Sequence, residues 1–220
     1  MLSAYVNSIK IPELRKRILF TLGVIALCRV ASAIPCPGVD PQALEALFQT
    51  MSQNVGGGVM NLFNLFSGGA LQKFAVAALG IMPYISASII MQLMTPVIPA
   101  LEKLSREGEA GRRKITQYTR YLTVGICLIQ GTMLAKTMMN PAALGMQGAA
   151  APVFDPSVAF LAKTVVFLTA GTMFLMWLGE QITERGIGNG ASLIISVNIL
   201  ARLPAAVLGM AQLVMGGTGG

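Results

Sequence analysis

The chain has 220 residues, of which only 11% are charged, and a mean hydropathy of +0.68. Soluble domains carry about a quarter charged residues, so an ordinary soluble domain is excluded. There is no histidine, and Cys28, Cys36 and Cys127 have no metal-ligand or redox spacing. Zinc sites, Cys–His nucleophiles, histidine bases and a disulfide framework are therefore left without support.

Charges gather in short blocks separated by long uncharged stretches. An ionised side chain at the bilayer centre costs roughly 2.5–3.5 kcal/mol, so this is the pattern of a multi-span membrane protein. A hydrocarbon core of about 30 Å needs about 20 apolar residues in a helix. Helix is also the economical choice, because backbone groups in lipid must pair within their own segment. Five candidate spans follow in chain order, at about 18–34, within 74–101, and at about 118–135, 158–178 and 187–204. The expected fold class is all-α and polytopic.

Lysine and arginine set the orientation. Lys10, Arg15, Lys16 and Arg17 precede the first span. Lys103, Arg106, Arg112, Arg113, Lys114 and Arg120 lie in the 102–120 loop between spans two and three, and Arg185 lies between spans four and five. The opposite loops hold only Lys73 and Lys136. This asymmetry predicts a cytoplasmic N-terminus and, after five spans, an outside C-terminus for the chain. It also accounts for a pI near 9.7 without any nucleic-acid site. Arg29, Lys163 and Arg202 then fall near outer helix ends, where their stems either snorkel to the interface or line a pore. The sequence Ala31-Ser32-Ala33 has the look of a signal-peptide cleavage site, but Arg29 before it and Ile34-Pro35 after it argue against cleavage.

Between spans one and two runs Gly56-Gly57-Gly58-Val59-Met60-Asn61-Leu62-Phe63-Asn64-Leu65-Phe66-Ser67-Gly68-Gly69, uncharged and amphipathic. Ten residues of helix reach only about 15 Å. The segment is too short to span and is either an interfacial helix or a re-entrant piece packed on protein. Its glycine flanks would let it swing as a unit. In span two, Pro83 removes a helix hydrogen bond and predicts a bend. The run Gly186-Ile187-Gly188-Asn189-Gly190 lacks the preceding strand and following lysine of a phosphate loop and reads as a tight connection.

Four stretches carry a resemblance. They are Ile34-Pro35-Cys36-Pro37-Gly38-Val39-Asp40, the span-two run from Leu79 to Ile90, the Glu107–Lys114 run with Gln117-Tyr118-Thr119-Arg120-Tyr121, and the run from Trp177 to Gly190. In order and spacing the chain resembles the SecY family, the central subunit of the bacterial Sec translocon. That resemblance implies one half of an inverted-repeat ten-helix channel, residues 1–220 being the N-terminal half with five transmembrane helices and a short re-entrant plug helix at about 58–70. An odd number of spans per half is what an inverted duplication requires.

By resemblance, Ile81, Ile85 and Ile195 belong to a pore ring, with Ala191 where relatives can carry a larger apolar residue. Ile81 and Ile85, four apart, share a helix face. A collar of branched apolar side chains disfavours water when empty and yields to a chain. Met60, Asn61, Phe63, Asn64, Phe66 and Ser67 match the plug. Ser86, Ile89, Ile90, Gln92 and Gln130 are lateral-gate candidates, and Arg112, Arg113 and Lys114 are candidate contacts for a cytoplasmic partner. The family implies passage of unfolded preproteins and release of transmembrane segments at the bacterial plasma membrane. It also implies partnership with SecE, SecG, SecA or the ribosome, signal sequences, lipid and a C-terminal five-helix half. No cofactor, metal or enzymatic activity is expected. A solute transporter would need ionisable sites in mid-span, and an intramembrane enzyme a buried nucleophile with its base; neither stands out.

Overall fold

The computed structural model describes residues 11–53, 62, 64–140, 152–154, 156–201 and 204. Among these the chain is all-helical, with no named strand, two isolated β-bridges and seven helices. They are α1 (Pro12–Ala33), α2 (Pro41–Gln53), α3 (Met82–Val97), α4 (Pro99–Arg106), α5 (Glu109–Met139), α6 (Val158–Arg185) and α7 (Gly190–Leu200).

Helix α1 starts earlier than the apolar stretch because Pro12 sits in its first turn, where a missing N–H costs nothing. It stops at Ile34, which Pro35 holds extended. Its buried stripe of Thr21, Val24, Cys28 and Ala31 faces α6 and α7. Helix α2 was not anticipated. Asp40 Oδ1 accepts from the Gln42 N–H at 2.9 Å, Pro41 follows, and Leu44, Leu47 and Phe48 bury one face.

Span two departs most from expectation. Its helix begins at Met82, and residues 67–81 form consecutive turns in the protein interior. Ala70, Phe74, Ala75 and Ala77 are all buried there. The backbone groups of this stretch find partners: Cys36 N donates to Phe74 O and Val76 N to Ile34 O, each at 2.9 Å. Gly80 takes a φ of +61°, which ends any helix approaching from the N-terminal side. Pro83 therefore does not bend the span; it opens α3 from the first turn. The proline inside the helix is Pro96, and the chain turns by 97° between α3 and α4 at Ile98-Pro99.

Helices α5 and α6 outrun their predicted spans, extending to Glu109 and Arg185 at their charged ends. At 31 residues, α5 is about 46 Å long. Both are long and apolar enough to cross a membrane; α3 and α4 together make a third such unit, bent as described. Helix α7 is apolar but only 11 residues long in its described extent. Asn189 caps it, its Oδ1 accepting from Ala191 N at 3.0 Å and Ser192 N at 3.3 Å.

The interior divides into two clusters, and the turn segment feeds both. Phe74 packs with Leu47, Met138, Phe160 and Leu168. Ala75, Ala77 and Ile81 pack with Val24, Leu178, Ile182 and Ile194. Cys36 belongs to the first; burial pushes its thiol up from the ordinary range, while Thr164 Oγ1 at 3.9 Å acts the other way.

Close backbone approach sets the spacing. A Cβ on Gly190 would stand 1.9 Å from Gly179 O, and one on Gly171 would stand 2.1 Å from Val76 O. Small residues at helix crossings are what membrane packing favours. A Gly190→Ala variant is therefore expected to lose at least about 2 kcal/mol of unfolding free energy in a denaturant titration in detergent. Gly125→Ala, whose Cβ would meet nothing within 4 Å, is expected to be neutral or slightly stabilising.

Candidate functional site

The start of α3, the end of α6 and the start of α7 enclose a cleft of about 320 Å³. Helix α3 contributes Tyr84, Ile85, Ser88, Ile89 and Gln92; α6 contributes Gly179, Glu180 and Thr183. Asn189, Ala191, Ser192 and Ile195 complete it from the α7 side. The spacing 85, 88, 89, 92 is one helix face. Ile85 and Ile195 are half-buried, so each has one side on the core and one on the cleft.

Of the predicted ring, Ile85 and Ile195 thus both line the cleft. Ile81, one turn earlier, is only 1% exposed and packs in the cluster with Leu178, Ile182 and Ile194. Ala191 lines the cleft. Among the gate candidates Ile89 and Gln92 line it, Gln92 Nε2 donating to Ser88 Oγ at 3.3 Å. Ser86 is half-buried, Ile90 exposed and Gln130 half-buried on α5, all outside the cleft lining.

Met60, Asn61 and Phe63 lie outside the described residues, as does Arg202. Asn64 and Phe66 are helical, and Ser67 opens the run of turns that follows. Asn64 Oδ1 accepts from Gln72 N at 3.2 Å, and Ser67 Oγ accepts from Leu71 N at 3.1 Å. The segment is tied to α7, and α7 in turn to α1. Asn198 of α7 donates to Phe66 O at 2.9 Å, and Arg29 of α1 donates to the Val197 carbonyl beside it. Arg29 is half-buried, and its guanidinium finds a carbonyl near the end of α7. Lys163 is exposed. Gly68 sits between these groups at φ +67°, and a Cβ there would stand 2.8 Å from Arg29 Nη1 and 2.9 Å from Asn198 Oδ1.

Arg112 and Arg113 line a second, larger cleft of about 730 Å³ with Glu109, Thr116, Gln117, Arg120 and Glu184. Lys114 is exposed and is not part of this lining. Arg120 and Glu180 form a forked ion pair between α5 and α6, Nε to Oε1 at 3.1 Å and Nη2 to Oε2 at 2.7 Å. Sequence reasoning missed the pair. Its signal was one acid and one arginine at the same predicted end of neighbouring spans. Among the described residues, no three His, Cys, Asp or Glu side chains gather as a metal site would require.

The SecY family profile matches residues 75–219. The chain belongs to the SecY family. Relatives named "Protein translocase subunit SecY" include that of Mycobacterium tuberculosis, 48% identical over 93% of this chain and 46% of that protein. The Streptomyces coelicolor protein is 49% identical over 94% of this chain and 47% of its own length. That of Buchnera aphidicola subsp. Acyrthosiphon kondoi is 52% identical, over 89% and 52%. The chain spans about half the length of the curated relatives it matches. A solved structure described as "The structure of a protein conducting channel" superposes with a TM-score of 0.56 at 16% identity, covering 95% of this chain and 45% of that one. That likeness shows the fold, and the chain is a multi-pass membrane protein of SecY type.

The junction at Gly68 makes a direct prediction. Gly68→Ala should lower the unfolding free energy by about 1–3 kcal/mol through strain and crowding, and Asn198→Ala by about 1–2 kcal/mol through the lost buried bond. Denaturant titration checks both, and values indistinguishable from the parent chain would contradict the packing described here.

Proposed function

We propose that this chain is one half of a protein-conducting channel, through which unfolded preproteins cross a bacterial plasma membrane and transmembrane segments leave sideways into lipid. The observation that carries this reading is the cleft between α3 and α7. There two branched apolar side chains, Ile85 and Ile195, each with one side on the core, border a lining that is otherwise mostly polar. Its chemistry suits an extended polypeptide, which offers backbone groups to Ser88, Gln92 and Asn189 and variable side chains to the isoleucines.

In this reading the spans are α1, α3, α5, α6 and α7, with the N-terminus and the 102–120 loop in the cytoplasm, as the lysine and arginine asymmetry favours. Ile85 and Ile195 act as the collar, and Ile81 backs them from the α6 and α7 side. The turn around Asn64–Gly69 is the outer end of a plug reaching back to about residue 58. Ile89 and Gln92, with Ser86, Ile90 and Gln130 nearby, edge the lateral exit. A C-terminal five-helix half would supply the opposite wall, SecE and SecG the surrounding subunits, and SecA or the ribosome the drive, received near Arg112, Arg113 and Lys114. The chain is a passive conduit with no chemistry of its own.

The collar is tested in the assembled channel. Ile85→Ser and Ile195→Ser, alone or with Ile81→Ser, should raise resting ion leak across proteoliposomes and relax the rejection of defective signal sequences. Ile129→Ser, on an exposed face of α5, should change neither. If all variants leaked alike, the collar assignment would fail.

A further inference from the structure

The cleft of α3, α6 and α7 has one carboxylate in its lining, Glu180; the other lining side chains carry no charge at neutral pH. That carboxylate is met by Arg120, which reaches from α5 with both ends of its fork. The two partners stand differently toward solvent: the Glu180 side chain is 13% exposed and that of Arg120 46%. Arg120 also lines the neighbouring arginine-bearing cleft, so the pair has one member in the lining of each cleft.

We infer that Arg120 sets the charge tolerance of the cleft, cancelling Glu180 so that polypeptide segments of either sign pass it equally. This rests on the reading of the cleft as the passage. The physical case is one of magnitude. A fixed carboxylate in a narrow, poorly solvated wall acts on a passing charge far more strongly than one in bulk water, and acidic rings are how pores come to favour cations. Cancellation needs the compensating charge to be held close and in one orientation. A bidentate guanidinium does this, whereas a lysine ammonium acts as a single point charge. An ion pair serving only to clamp α5 on α6 would affect stability and leave charge selectivity alone.

The test uses the chain assembled in its translocon, in proteoliposomes without a membrane potential. Three reporters share one signal sequence and carry a neutral, a lysine-rich or an aspartate-rich block. The readout is the lysine-to-aspartate translocation ratio, each normalised to the neutral reporter. Arg120→Gln is expected to raise that ratio about fivefold. The double variant Arg120→Gln/Glu180→Gln should return it to within about twofold of the parent, and Arg120→Lys should fall between. Glu180→Gln, which leaves Arg120 unpaired beside the cleft, is expected to lower the ratio and stands in if Arg120→Gln does not fold. An unchanged ratio in either single variant, or an equal rise in the single and double Arg120 variants, overturns the inference while the neutral reporter still crosses. Failure of the parent assembly to pass the neutral reporter would instead overturn the reading of the cleft as a passage.

Discussion

At the crossing of α6 and α7, Gly190 lies against the backbone of Gly179, and the hydroxyl of Thr183 joins the two. It donates to Gly179 O at 3.0 Å and accepts from Gly190 N at 2.9 Å. In lipid, apolar side chains gain little by meeting one another, so helix association rests on close packing and on polar contacts like this one. The crossing brings the first turn of α7 onto the end of α6 and sets Ile194 inward beside Ile81. With Ile194 inward, the next residue, Ile195, borders the cleft. A wider crossing would shift that wall of the cleft.

The same economy explains why an irregular stretch can run through the middle of a membrane protein. Non-helical backbone at such depth is tolerated only where protein or a cavity satisfies it. Residues 67–81 meet that condition through bonds to the chain at Ile34 and Cys36, through Ser67 and Asn64, and through Asn198. Phe74 and the alanines after it are locked in the core.

Much of this was legible in the residues. Charge blocks and apolar runs pointed to the long apolar helices α5 and α6, and the long motifs from Leu79 to Ile90 and from Trp177 to Gly190 pointed to the family. What was not legible depended on tertiary company. Pro83 read as a kink because its stretch is apolar throughout, yet Gly80 at positive φ lets the helix start only at Met82. Helix α2 was overlooked although Asp40-Pro41 and the spacing of Leu44, Leu47 and Phe48 signal it. The partner of Arg29 was not legible, because nothing local reveals the carbonyl of Val197, 168 residues away. The Arg120–Glu180 pair, 60 residues apart, was hidden for the same reason. Ile81 and Ile85 share a helix face by spacing, but the packing of α7 buries the first and leaves the second at the cleft.

The passage itself can be traced with a polypeptide stalled in the assembled channel and carrying one cysteine, with Cys28, Cys36 and Cys127 left in place because all three are buried. Disulfide formation would be scored against single cysteines at Ile85, Ile195, Ile129 and Met133. Efficient crosslinks to 85 and 195, with none to the two exposed α5 positions, are expected if the cleft between α3 and α7 is the route. Crosslinks to 129 and 133 in preference to 85 and 195 would place the polypeptide on the outer face of α5 and contradict it.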